Sequence, residues 1–308
     1  MLDKNQPLVS VVIPCYNHES FVQKSIQSVI DQTYENIELI IIDDGSNDNS
    51  VKKIQEMVSV CEKRFVSFKF IYRVNIGVSR TLNEGLAWCK GDFISLLASD
   101  DFYHNDKILI QMDHFIKNKN TMFVVSHAYV VDDANEILNK QTGAYNFNLN
   151  HLITFDDIFT FKTHLPITGL YKTELIKDIV NGFDSDVTAE DYDIYLKIAQ
   201  HTQIDIISEK LYYYRSPEAL GSKRKRPAMR LDVSESHLKT INKYKNHKLY
   251  KKALKKWNYR RFIAFSGYYQ TKVYAFKGMC QSMNMWKSIY FYKAMIRLVF
   301  YWKNYNAK

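Results

Sequence analysis

Three acidic clusters hold the residues whose types and spacing could do chemistry: Asp43-Asp44-Gly45-Ser46, Ser99-Asp100-Asp101 and Glu190-Asp191-Tyr192-Asp193. Adjacent carboxylates repel, and an Asp is costly wherever it can be neither solvated nor paired. A hard divalent cation removes that cost. Mg2+ and Mn2+ are commonly held by one or two carboxylates together with phosphate oxygens, so Asp100 and Asp101 are candidate ligands. Asp44, followed by Gly and Ser, could accept hydrogen bonds from a nucleobase or a ribose. Asp191 opens an apolar-periodic stretch and has the chemistry of a general base, if a hydroxyl comes within hydrogen-bond reach. Each cluster also has a plain structural reading, as an Asp-rich turn or as acids capping a first helical turn.

The elements that must position these clusters alternate. Residues 8–13 are a short apolar run ended by Pro14, which reads as a buried strand. Apolar residues at 22, 26, 29 and 30 predict a helix over 21–30. A second strand follows at 37–42, a helix at 47–60, a third strand at 66–72, a helix at 78–89 closed by Lys90-Gly91, and a fourth strand at 93–97. Strands spaced by helices imply right-handed crossovers and a mainly parallel sheet covered on both faces. Ligands bind such sheets beyond the carboxyl ends of the strands. Pro14, Tyr16 and Asn17, the 43–46 cluster and the 99–101 cluster all fall at those ends. After residue 107 the pattern changes: a helix at 108–116, strand-like runs at 122–131, an irregular stretch at 140–165, a strand at 167–171, a helix at 190–199 and a last strand at 211–214. The expected division is 1–105, 106–220 and a helical, basic, aromatic extension at 221–308.

Charge supports that last boundary. Residues 221–308 hold 22 Lys and Arg against two acids, Asp232 and Glu235, whereas residues 1–220 hold 20 bases and 31 acids. The extension also carries 18 aromatic residues. Tyr250, Ala253, Leu254 and Trp257 form one helical stripe, and Ile289, Tyr292, Ile296 and Val299 another. Such stripes pack on the rest of the chain, or lie on an anionic membrane surface. Nucleic-acid binding is disfavoured, because no recognition fold is visible and the acidic portion would repel a polyanion. Cys15, Cys61, Cys89 and Cys280 form no CxxC pair and are expected to be reduced thiols. The N-terminal residues lack an apolar segment, so a cytoplasmic chain is expected, with the inner face of the cell membrane as a peripheral site. The longest apolar run, 288–302, is broken by Lys293 and Arg297 and is too short to span a bilayer. No phosphate-binding Walker loop, GxGxxG or GxSxG occurs. The isolated histidines, His18 among them, are expected to be structural or on the surface.

The order of these pieces resembles the family 2 glycosyltransferases, which invert anomeric configuration and have the GT-A fold. The resemblance is carried by Val9-Ser10-Val11-Val12-Ile13-Pro14-Cys15-Tyr16-Asn17, by Ile26-Gln27-Ser28-Val29-Ile30-Asp31-Gln32-Thr33-Tyr34, by Glu38-Leu39-Ile40-Ile41-Ile42-Asp43-Asp44-Gly45-Ser46, and by Gly91-Asp92-Phe93-Ile94 through Asp101. It is looser at Gly182-Phe183-Asp184 and Glu190-Asp191-Tyr192-Asp193. It implies that Pro14, Tyr16 and Asn17 line a nucleotide pocket and that Asp44 accepts from the base, typically uracil. It implies that Asp100 and Asp101 bind ribose and a Mn2+ or Mg2+ ion, and that Asp191 is the catalytic base. The partners it implies are a nucleotide-sugar donor and a saccharide or lipid-linked saccharide acceptor, in surface polysaccharide synthesis. Many members carry an Asp-x-Asp-Asp pattern; here Ala98 replaces the first acid, which puts metal use in question. Arg80, Arg215 and Lys223 are candidates for holding a diphosphate, with Arg215 and residues 216–222 as a flap. The competing readings are a sugar-nucleotide nucleotidyltransferase, which would show a Gly-rich basic loop after the first strand, and a non-catalytic polyanion-binding protein.

Overall fold

The computed structural model describes residues 6–146, 153–163, 165, 167–216 and 229–305. The basic run at 223–227, Lys223 included, and residues 217–222 lie outside them.

The N-terminal half follows the predicted alternation. Strand β1 (Val9–Cys15) is followed by helix α1 (Val22–Ile30), β2 (Ile37–Asp43), α2 (Ser50–Gln55), α3 (Val58–Arg64), β3 (Ser67–Tyr72), α4 (Val78–Trp88) and β4 (Phe93–Leu96). The helix expected over 47–60 is two short ones. Met57 donates to the Ile54 carbonyl at 2.9 Å, an i to i−3 bond that tightens the chain between them.

Then come β5 (Phe102–Tyr103), α5 (Lys107–Lys117), β6 (Phe123–Val131), α6 (Asn139–Tyr145), α7 (Phe155–Phe159), β7 (Leu170–Lys172), a π-helical turn (Glu174–Ile179), α8 (Glu190–His201) and β8 (Asp205–Arg215). The stretch expected to be irregular thus contains two helices. Thr154 and Asp157 form a reciprocal capping box that starts α7. The last strand is longer than expected because β6 pairs with it across a bulge at His127.

One eight-stranded sheet runs β3-β2-β1-β4-β7-β6-β8-β5. The β3-β2-β1-β4 portion is parallel. Beyond it β7 runs antiparallel to both β4 and β6, β6 and β8 are parallel, and β5 is antiparallel to β8. The sheet is therefore mixed, with its early crossover helices on both faces.

Alternate residues of each strand feed two cores, the period-two consequence of a pleated strand. Val9, Val11, Ile13, Ile37, Leu39 and Ile41 pack with Ile26 of α1 and Met112 of α5. Val12, Ile40, Ile42 and Leu96 face α4 and α8, meeting Leu82, Leu86 and Leu196. Helices flank both faces, as a parallel sheet requires.

The extension is helical: α9 (Leu231–Lys243), α10 (Tyr250–Phe265), α11 (Lys272–Gln281) and α12 (Ile289–Phe300). Its two apolar stripes resolve oppositely. Ala253 and Trp257 of α10 join the core beneath α8, with Tyr250 and Leu254 partly buried beside them. Lys243 of α9 bridges Asp193 of α8 and Asp184. In α12, by contrast, Phe291 and Ala294 face inward, while Ile289, Tyr292, Ile296 and Val299 are exposed.

Candidate functional site

The 43–46 loop is built by its own hydrogen bonds. Asp43 accepts from the Ser46 amide at 2.8 Å and from Ser46 Oγ at 2.7 Å. Gly45 has φ of 76°, and a Cβ there would lie 2.6 Å from the Asn75 nitrogen. Only glycine suits both the left-handed backbone and that close approach. Asp44, nearly buried, accepts from the amides of Ile76 at 2.9 Å and Gly77 at 3.0 Å, and pairs with the Arg73 guanidinium. A carboxylate offers about four acceptor sites, so Asp44 keeps capacity for a further donor such as a base N–H. Asn17, at φ of 55°, locks this loop to the end of β1: its amide donates to Ser46 Oγ and its Oδ1 accepts from the Asn47 amide, both at 2.8 Å. Tyr16 beside it is exposed.

The 99–101 cluster lies at the end of β4, next to β1. Asp100 and Asp101 divide their roles. Asp101 is buried; Tyr212 Oη donates to one of its oxygens at 2.9 Å and the Arg215 amide to the other at 2.7 Å. Burial, reinforced by the charge of Asp100, holds its carboxyl well above the usual range. Asp100 is more open, and His18 Nε2 lies 3.9 Å from its Oδ2. His18 Nδ1 is hydrogen-bonded to Ser99 Oγ at 2.8 Å. Arg215 is fully buried: its Nε donates to the Asp100 carbonyl at 2.7 Å, and its guanidinium reaches the Asp132 carbonyl and Asn135 Oδ1. The guanidinium also lies 4.5 Å from the Phe21 ring. Arg215 is thus a fixed strut at the end of β8, and Ser216, the next expected flap residue, is buried with its amide donating to the Val131 carbonyl at 3.0 Å; the remaining expected flap residues, 217–222, lie outside the described residues.

The structure brings Asp191 to the same edge. It sits in the first turn of α8 and accepts from the Tyr192 amide at 2.7 Å. A small cavity of about 80 Å³ is lined by Pro14 and Ala98 on one side and by Glu190 and Asp191 on the other. The chain before α8 is held in place from α4. Asn83 exchanges two hydrogen bonds with the backbone of Phe183, each 2.8 Å, and Ser79 Oγ donates to the Val187 carbonyl at 2.8 Å. Burial, then the Asp191 charge, raises the Glu190 carboxyl to about 8.

Two participants were not singled out as site residues from the sequence: His18 and Arg73. A signal existed for both, since His18 follows Asn17 at the end of β1 and Arg73 follows β3, beside Asp44. Arg215 was named, but as a diphosphate holder; its contacts with Asp100, Asp132 and Asn135 had no sequence signal, because β8 enters the site from the far half of the sheet. Arg80 is exposed. The thiols are free, with Cys15, Cys61 and Cys89 buried. Burial, then the charge of Asp43, pushes Cys15 up to about 12, which leaves it inert at neutral pH.

Among the described residues, no group of three or more His, Cys, Asp or Glu is arranged to hold a metal. An oxygen-only pair, Asp100 and Asp101, with most of the coordination shell left to other ligands, fits the habits of Mg2+ and Mn2+, which keep waters and bind substrate phosphates.

A mixed α/β sheet with its acids gathered at the ends of β2 and β4, beside the end of β1, and a helical C-terminal region, is a GT-A-like architecture. Residues 10–179 match the glycosyl transferase family 2, and the chain belongs to that family. An uncharacterized glycosyltransferase of Haemophilus influenzae is 38% identical over 133 residues, 43% of this chain and 52% of that protein. The chondroitin synthase of Escherichia coli is 26% identical over 258 residues, 83% of this chain. The chain spans about half the length of the first and 34% of the second. Among solved structures, S. aureus TarS 1-349 in complex with UDP-GlcNAc aligns over 94% of this chain and 81% of its own, with TM-score 0.62 and 18% identity. The mannosyltransferase PcManGT from Pyrobaculum calidifontis, in complex with GDP-Man and Mn2+, aligns over 96% and 88%, with TM-score 0.61 and 14% identity.

Proposed function

We propose that this chain transfers a sugar from a UDP-sugar to an acceptor hydroxyl, with inversion, and that Asp191 is the base. The observation that carries this reading is the small cavity joining Pro14 and Ala98 to Glu190 and Asp191. It puts a carboxylate across from the strand ends where the family places its nucleotide. In a single displacement the acceptor hydroxyl attacks the anomeric carbon opposite the departing diphosphate, so its base belongs on the acceptor side. Asp191 takes that proton. Glu190, neutral below about pH 8, adds no second negative charge beside it. The loop of Asp43, Asp44 and Asn17 holds the base, with Asp44 accepting from it. Pre-formed bonds to Ile76 and Gly77 keep Asp44 in place without the ligand, the preorganisation on which binding and catalysis depend. A divalent cation, Mn2+ or Mg2+, would be held by Asp100 and Asp101 with the diphosphate oxygens, and would offset the charge on the leaving group. Support for a UDP-sugar and for metal comes from the fold neighbours bound to UDP-GlcNAc and to GDP-Man with Mn2+. Support for a polysaccharide acceptor comes from the chondroitin synthase likeness.

The exposed face of α12 supports peripheral contact with an anionic membrane: Ile289, Tyr292, Ile296, Val299 and Phe300 are accompanied by Trp302 and Lys293. Aromatic and aliphatic side chains enter the interface while cations meet lipid phosphates. No helix among the described residues is long and apolar enough to cross a membrane.

Calorimetric titration with UDP, with and without Mn2+, tests the donor site. Binding should require the metal, weaken in Asp100→Asn, and vanish in Asp44→Ala. Asp101→Ala is a poorer probe, because it also strips Tyr212 and Arg215 of an acceptor. Preference for GDP over UDP would overturn the choice of base. Silence with UDP, GDP and dTDP alike would overturn the transferase reading.

A further inference from the structure

A second cleft, of about 540 Å³, opens between α10 and α12. Three cations line it, Arg260, Arg297 and Lys303, with four tyrosines and no carboxylate. Among the described residues none of the three cations forms an ion pair with an acid, although the chain elsewhere pairs Arg73, Arg230 and Lys243. The Arg260 Nε is buried without a hydrogen-bond partner among the described residues. A buried N–H without an acceptor is unfavourable.

The walls are built rather than incidental. Lys303 is fixed by backbone pairing, its amide donating to the Gly267 carbonyl at 3.1 Å and its carbonyl accepting from Tyr269 at 2.9 Å. Lys272 Nζ caps the end of α12 through the carbonyls of Arg297 and Leu298, at 2.7 and 2.6 Å. A run of packed rings leads from the cleft wall to the residue after the proposed base. Arg260 lies 4.8 Å from the Phe161 ring, Phe161 stacks on Tyr192 at 4.8 Å, and Tyr192 follows Asp191.

We infer that this cleft binds the anionic part of the acceptor, a phosphate-bearing saccharide, and presents its hydroxyl toward Asp191. Tyrosine rings offer flat faces to sugar rings and hydroxyls to their oxygens, while convergent Arg and Lys select phosphate. A cavity of this size holds a small ligand of one or two sugar units. The inference rests on the transferase reading for the direction in which the saccharide points, but the binding itself does not.

The test is titration of the chain with glucose 6-phosphate under saturating UDP and Mn2+, so that the donor site is filled, with methyl glucoside as the neutral probe. Glucose 6-phosphate should bind and methyl glucoside should not. Arg297→Gln and Lys303→Gln should each weaken the phosphate probe about tenfold, the loss of one charged hydrogen bond. Lys277→Gln, an exposed charge on α11 outside the cleft, should leave it unchanged, and circular dichroism confirms that each variant folds. Equal binding of the two probes, or equal loss in Lys277→Gln, overturns the inference. UDP binding without glucose 6-phosphate binding defeats the cleft and leaves the donor reading intact. Glucose 6-phosphate binding lost in Arg297→Gln, without any UDP binding, defeats the donor reading and leaves the cleft.

Discussion

Replacing Glu190 with Gln should remove a pH dependence from the stability of the fold. Glu190 lies in the first turn of α8 beside Asp191, and its folded-state carboxyl is raised from 4.5 to about 8 by burial and by the Asp191 charge. Below pH 4.5 the group is protonated in both states and contributes nothing to the pH dependence. Between pH 4.5 and about 8 the unfolded chain releases the proton while the folded chain keeps it. The folded state therefore binds more protons, and stability falls as pH rises across that window. The limiting slope for one group is about 1.4 kcal/mol per pH unit. Partial exposure of Glu190 reduces this, so wild type should lose about 1 kcal/mol between pH 6 and 7 that Glu190→Gln does not. Asp101, also raised, contributes equally to both proteins and cancels in the difference. The assay is urea unfolding followed by tryptophan fluorescence at pH 5, 6, 7 and 8 in EDTA. Parallel profiles for the two proteins would refute the assignment. If Asp191 is the base, sugar transfer by Glu190→Gln should stay within a few-fold of wild type, while Asp191→Asn should lose about two to four orders of magnitude.

Lys107 gives the opposite slope. Its ammonium is fully buried against Ser95, Gln111 and the Tyr103 ring, and burial lowers it to about 7. The unfolded chain holds the extra proton from about pH 7 to 10.5, so wild-type stability should rise with pH by up to about 1.4 kcal/mol per unit. Lys107→Met should flatten that rise, as read from urea midpoints at pH 7 and 9; an unchanged slope refutes it. Arg215→Gln should cost about 3 kcal/mol, because the buried guanidinium joins β8 to the Asp100 and Asp132 carbonyls and to Asn135. A thermal midpoint lowered by less than a degree would show that the strut is dispensable. Ile296→Asp, on the exposed face of α12, should reduce flotation with phosphatidylglycerol vesicles without changing UDP affinity. Undiminished flotation would remove α12 from the membrane contact.

The sequence by itself determined the parallel half of the sheet. Period-two apolar runs such as 37–42 and helical stripes such as 22, 26, 29 and 30 are local signals, and each element buries the face its own residues dictate. It also determined which acids could matter, because a βαβ alternation sends the residues after each strand to one edge. Asp44, Asp100 and Asp101 were legible for that reason, and the family likeness named Asp191. Only the tertiary structure decided how those carboxyls divide their work. Asp101 is buried because Tyr212 and Arg215, more than a hundred residues away, donate to it, while Asp100 stays open beside His18. Such pairings depend on the late strands β7, β6 and β8 joining in an order that does not follow the sequence. The basic extension makes the same point. Two stripes of equal helical periodicity look alike as sequence, yet α10 is drawn into the core under α8 while α12 keeps its apolar face outward. Periodicity states that a face is apolar; what covers it is set by the elements already in place.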